Sequence, residues 1–256
     1  MTWDKRTVYW TAAALVWCVL PLLRAAVQEQ PPDTAQQTEA TPQQPALQPD
    51  QPDKATQKRV IEPIVLIDPS HGGDDKGAVF SSKLAEKDVT LSLGRELRKQ
   101  LEERGIPAKM LREADVSLSL DRRAEVANEP HTALYVSLHA GRPGKGVRVY
   151  APLLSSSQPA DGRFLPWESA QTASLERSRK LAIAVTRELK KKNMQAALLA
   201  APLRPLNSIV PPAIAVELAP DPDNVHSLES EKVQNAVASA IASAVAQTRA
   251  MASGHP

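Results

Sequence analysis

Beyond about residue 60 the chain alternates apolar runs of strand length with helix-period segments, and this limits the fold more than any other feature. Ile64 to Ile67, Ala133 to Leu138, Val147 to Tyr150 and Ala213 to Leu218 read as buried strands, with a shorter run near Lys109 to Leu111. Four helical patterns lie among them: Asp88 to Arg104, Leu120 to Asn128, Ser174 to Lys192 and Glu231 to Thr248. In the first, Val89, Leu93, Leu97 and Leu101 form one stripe, and Gly105 follows as a C-terminal cap. The alternation predicts an α/β domain over residues 60–250, an open, mostly parallel twisted sheet flanked by helices.

The chain ahead of this domain is of another kind. Lys5 and Arg6 precede an apolar run from Val8 to Leu23, a pattern that leaves the N-terminus in the cytoplasm and sends the following chain across the membrane. Residues 1–27 are therefore expected to be a signal peptide or an N-terminal membrane anchor through residues 8–23. Trp17 is too large to precede a lipidated cysteine, so Cys18 is not read as a lipoprotein site. Residues 28–59 are rich in Gln and Pro and nearly free of large apolar groups. Such a stretch cannot bury enough surface to offset its ordering entropy and is expected to be a disordered spacer. The body is thus expected outside the cytoplasm, periplasmic or held at the inner membrane.

With 31 basic against 29 acidic residues the net charge is +2, which excludes a strongly basic nucleic-acid-binding chain. Cys18 is the only cysteine, so neither an intramolecular disulfide nor a CxxC metal site can form. Any metal must be held by histidine and carboxylate.

Two of the five histidines follow strand patterns: His71 after IVLIDPS, and His139 near the end of ALYVSLHA. Sites in open α/β sheets form beyond the carboxyl ends of the strands, which would bring both to one edge. Glu217 lies in the apolar run AIAVEL, where a carboxylate needs a partner to be buried, and Glu86 opens the first helix. Two histidines and two glutamates on one rim suit a zinc hydrolase. Two His and one Glu would bind the metal, its water would ionise near pH 7, and the other carboxylate would take the proton. Each residue also has an ordinary reading: His71 as a turn residue, His139 as a core histidine, Glu86 as a charge favoured by the helix dipole.

The segments IVLIDPSHGGDDKGA, EKDVTLSLGRELRKQLEERG, SLDRRAEVAN, ALYVSLHA and PPAIAVEL, in this order and spacing, resemble the zinc-dependent N-acetylmuramoyl-L-alanine amidases of the type 3 class across residues 61 to 248. The resemblance implies that His71, Glu86 and His139 bind zinc and that Glu217 is the catalytic carboxylate. It also implies peptidoglycan as partner and substrate, cut at the amide between N-acetylmuramic acid and L-alanine. Arg123 and Asn128 match the helix before the second histidine strand and read as structural.

This chain departs from the family pattern in three places. Ser70 stands where a glycine is common before the first histidine, and Gly141 where an asparagine is common. Leu218 to Asn224 replaces the usual Gly-Phe and Ser-Asn turn with a Pro-rich loop expected to border the cleft. Arg142, Lys145 and Arg148 read as a solvated rim, and the basic run Arg177 to Lys192 as a solvent face. Some family members carry a helical plug released by an activator protein; Pro152 to Thr172 is too short for a strong one. The alternatives are a catalytically weak peptidoglycan-binding or regulatory module on the same fold, and a zinc carboxypeptidase.

Overall fold

The computed structural model describes residues 62–141, 144–154 and 167–252, all within the unit Lys58–Pro256. The targeting segment, the spacer, Arg142 and the loop Ser155 to Asp161 lie outside the described residues. Among the described residues no helix is long and apolar enough to cross a membrane.

The chain runs β1 (Ile64–Pro69), β2 (Val79–Ser81), β3 (Leu84–Ala85), α1 (Glu86–Glu102), β4 (Ala108–Met110) and α2 (Leu120–Ala127). It continues β5 (Thr132–Ala140), β6 (Val147–Pro152), α3 (Leu175–Lys191), β7 (Ala196–Ala201), β8 (Ala213–Leu218) and α4 (Glu231–Ala252). β2 and β3 pair as a small hairpin, and the other six strands form one sheet in the order β4-β1-β5-β8-β6-β7. All neighbours are parallel except β6 against β8. The expected α/β architecture is present. Nothing in the sequence marks β7: AALLAA has no β-branched residue and is largely exposed, so neither propensity nor alternation signals it.

Strand alternation divides the core into two unequal layers. Val65 and Ile67 of β1, Leu134, Val136 and Leu138 of β5, and Ile214 and Val216 of β8 join the large cluster that includes residues of α1, α3 and α4. The α1 stripe of Val89, Leu93, Leu97 and Leu101 is buried to within 1% in this layer, worth about 1.5–3 kcal/mol per side chain. Gly105, at φ +65°, closes α1: its N–H donates to Glu102 and that of Ile106 to Leu101, a Schellman pair.

The opposite face is covered by a smaller cluster, including Leu66, Tyr135, Ala213, Ala215 and Ala127 of α2. Parity places Asp68, Ser137, His139, Glu217 and Arg148 on this same face, toward the carboxyl ends of β1, β5 and β8. The sheet thus has one face built for packing and another whose far end carries the polar groups.

Candidate metal centre

The chain leaves β1 through a sharp turn in which His71, Gly72 and Gly73 take φ of +62°, +133° and +61°. A histidine in the left-handed region costs on the order of 1 kcal/mol or more and persists only where its surroundings hold it. Two buried guanidinium groups do so. Arg123 donates to the carbonyls of Pro69 (3.1 Å) and His71 (2.8 Å), and Arg112 to those of Pro69 (2.9 Å), Ser70 (3.1 Å) and Lys87 (2.7 Å). Arg123 also pairs with the buried Asp68 carboxylate, which accepts the Tyr135 hydroxyl as well. At Gly72 a Cβ would meet the Val116 carbonyl oxygen at 2.2 Å, so the turn cannot take a larger residue there. Arg123 is structural as expected; Arg112 carries no sequence signal of this role. Asn128 is structural too, bridging the Ser208 carbonyl and the Val210 amide.

The turn brings His71 to Glu86, the first residue of α1, and β5 brings His139 to the same carboxylate from the other side. Glu86 Oε2 lies 3.2 Å from His71 Nε2 and Oε1 lies 3.1 Å from His139 Nδ1. The backbone N–H groups of Ala78 (3.0 Å) and Ala140 (3.1 Å) donate to the two oxygens. Burial alone would raise the Glu86 pKa, but hydrogen bonds from His139, His71 and Ala78 hold it well below the usual carboxylate range. His71 is held above the ordinary histidine value of 6.5, chiefly by its hydrogen bond to Glu86, against the opposing effect of burial.

One donor atom from each of His71, Glu86 and His139 lies within 4.8 Å of the others. Two imidazole nitrogens and a carboxylate suit zinc, whereas calcium and magnesium prefer all-oxygen sites. Gly77, at φ +62°, keeps the centre open: a Cβ there would come within 2.6 Å of both Glu86 Oε2 and the His71 ring. The outer partners differ. His71 Nδ1 donates to Asp75 Oδ2 at 2.9 Å, while His139 Nε2 faces the hydroxyls of Ser70 at 2.9 Å and Ser137 at 3.2 Å. Asp75, Ser70 and Ser137 carry no sequence signal of these contacts, because each contact joins separate turns or strands or depends on rotamer.

Glu217 is the residue of β8 paired in register with His139 of β5 and, across the antiparallel side, with Arg148 of β6. It stands outside the three-residue group. Its Oε2 accepts the Tyr150 hydroxyl at 2.7 Å and lies 3.5 Å from Arg148 Nη1. A Cβ on Gly141 would lie 3.5 Å from Glu217 Oε1 and 3.9 Å from Glu86 Oε2, so the glycine leaves space between the two carboxylates. The rim reading of Arg148 is corrected: its side chain is one-fifth exposed and directed at Glu217, because its strand position faces the site. Lys145 remains well exposed, 3.9 Å from Asp221 and Asp223 of the Pro-rich loop. An apolar groove of about 520 Å³ lies at the other end of the sheet, lined by Ile64, Leu134, Leu181 and Val245 among others, away from both histidines.

Residues 65–247 match the family described as N-acetylmuramoyl-L-alanine amidase. The chain is 38% identical to the N-acetylmuramoyl-L-alanine amidase AmiC of Escherichia coli O6:H1, over 42% of this chain and 26% of that relative. It is 30% identical to AmiC of Neisseria meningitidis serogroup B, over 51% of this chain and 38% of that relative. The match thus spans less than half the length of either curated relative. Among solved structures, the N-acetylmuramoyl-L-alanine amidase AmiC2 of Nostoc punctiforme is similar with a TM-score of 0.55 and 28% identity, covering 72% of this chain and 96% of that one.

Proposed function

The chain belongs to the type 3 N-acetylmuramoyl-L-alanine amidase family, and we propose that it is an exported zinc amidase that hydrolyses the bond between N-acetylmuramic acid and L-alanine in peptidoglycan. The observation that carries this reading is the convergence of His71, Glu86 and His139 within 4.8 Å, with Glu217 beside His139 on the next strand.

In this reading the three residues hold zinc, and Glu217 is the general base. Zinc bound there would supply a Lewis acid that makes a water molecule easier to deprotonate. Glu217 accepts the proton and can return it to the leaving nitrogen. Tyr150 holds one of its oxygens, which fixes the plane of the carboxylate. The gap left by Gly141 lies between the base and the ligand carboxylate, where a scissile amide and its water need room. Residues 1–27 serve as signal peptide or anchor and residues 28–59 as a spacer, so the domain reaches a substrate outside the cytoplasm.

The test is digestion of purified peptidoglycan by the protein, with zinc and after chelation, with products identified by mass spectrometry. Intact glycan strands and free stem peptides beginning at alanine are expected. Shortened peptides still joined to the glycan would indicate a carboxypeptidase, and intact peptidoglycan with the protein bound would indicate a binding module.

A further inference from the structure

We propose that Ser70 and Ser137 are positioning residues that fix the ring orientation of His139, so that its Nδ1 is presented to the metal. This rests on the zinc reading of the site.

The two histidines offer different nitrogens. His71 turns Nε2 toward Glu86, and His139 turns Nδ1 toward it. An imidazole that gives one lone pair to a metal carries its proton on the other nitrogen, and a partner able to accept from that nitrogen holds the ring in place. For His71 the receiver is the Asp75 carboxylate, an acceptor only. For His139 it is a pair of hydroxyls: Ser70 Oγ at 2.9 Å and Ser137 Oγ at 3.2 Å from Nε2, themselves 3.2 Å apart.

Both serines are buried, 5% and 2% exposed, so solvent cannot readily stand in for them. Their positions follow from the sheet. Ser137 is two residues before His139 on the same face of β5, and Ser70 leaves β1 beside that strand, its N–H bonded to the Leu138 carbonyl. Ser70 is held from below, since its carbonyl accepts from Arg112 and Thr90. A glycine at position 70 would remove the nearer hydroxyl and leave only the longer contact from Ser137. The outer partners of the two ligands are thus unequal in charge, a carboxylate behind His71 and neutral hydroxyls behind His139.

The full chain, in detergent, is titrated with zinc against a competing chelator, alongside Ser70→Gly, Ser137→Ala, the Ser70→Ala/Ser137→Ala double variant and Ser137→Thr, with His139→Ala as control. Outer-sphere partners typically change metal affinity about 10–100-fold. The double variant is expected to lose affinity within that range, Ser70→Gly about tenfold, and Ser137→Thr little, because its hydroxyl remains. Wild-type affinity in the double variant would overturn the proposal. A second measurement needs no variant: the imidazole nitrogen spectrum of the zinc-loaded wild type should show His139 protonated at Nε2, and protonation at Nδ1 would sink the assignment. If the wild type takes up no zinc, or His139→Ala binds it as well as the wild type, the zinc reading itself fails. Loss confined to the serine variants cannot be mistaken for that result.

Discussion

His139 and Glu217 are direct register partners on the parallel strands β5 and β8, with Arg148 of β6 next in the same lateral row. Side chains in such a row share one face of the sheet and lie about 5 Å apart at their bases. A histidine of the three-residue group and a carboxylate outside that group are thereby held at a separation set by backbone hydrogen bonds. The division of labour between Glu86 and Glu217 follows from this. Glu86 contacts both imidazoles, whereas Glu217 is held by Tyr150 and Arg148.

Glu217→Gln should reduce turnover by about 10²–10⁴-fold, the usual contribution of a general base. Zinc content should remain near one per chain, since His71, Glu86 and His139 are untouched. Metal analysis and hydrolysis on one preparation check both; loss of zinc with the glutamine would make Glu217 a ligand instead.

Tyr150→Phe removes the hydroxyl that donates to Glu217 Oε2 at 2.7 Å and leaves the ring in place. A buried carboxylate then loses one partner, a cost of about 1–3 kcal/mol. The expected result is a kcat reduced by about tenfold with KM nearly unchanged, because the hydroxyl orients the base and is not expected to meet substrate. A KM effect with kcat intact would assign Tyr150 to substrate binding.

The metal-free protein should show a specific pH dependence. His71 has its pKa raised above 6.5, so its contribution to stability is complete below that value and is lost as pH rises through the raised one. Glu86 has its pKa lowered from 4.5, so its contribution is complete above that value and is lost as pH falls through the lowered one. Together they favour the metal-free fold most between pH 4.5 and 6.5. Thermal melts in chelator, wild type against His71→Gln, should differ most in that window and converge toward pH 9. A difference that grows with pH would contradict the sign. Zinc reverses the trend, because it competes with the His71 proton, so its affinity should fall as pH drops through the raised value.

Gly77→Ala should reduce zinc binding sharply. Its backbone lies at φ +62°, and the added methyl would come within 2.6 Å of Glu86 Oε2 and the His71 ring. The strain alone is worth on the order of 1–2 kcal/mol. Chelator competition and a thermal melt read the two effects separately. Zinc affinity equal to wild type would mean the hairpin ahead of α1 can shift without disturbing the ligands.

Arg123→Met leaves Asp68 buried without its ion-pair partner, frees the carbonyl of His71 and leaves that of Pro69 to Arg112 alone. Breaking a buried pair from one side costs about 3–5 kcal/mol. A denaturant midpoint lowered accordingly is expected, with zinc affinity reduced as the His71 turn loosens. A midpoint close to wild type would show that Arg112 holds the turn by itself.

The alternation of ALYVSLHA and AIAVEL already separates a packing face from a polar one, since residues two apart share a face whatever the surroundings. Local pattern thereby determined the strands at β1, β5, β6 and β8, the four helices, the α1 stripe, the Gly105 cap and the placing of His71 and His139 at strand ends. The same reading offered Glu86 and Glu217 as candidates, and the spacing of whole segments pointed to the family and with it to their separate roles. Only the tertiary structure decided strand order, and with it that His139, Glu217 and Arg148 form one row, because pairing between distant segments leaves no local periodicity. It likewise decided that Ser70, Ser137 and Asp75 stand behind the histidines and that Arg112 grips the turn. The contacts of Ser137 and Asp75 depend on rotamers, and those of Ser70 and Arg112 on close approach of segments far apart in the chain, which no pattern of neighbouring residues encodes.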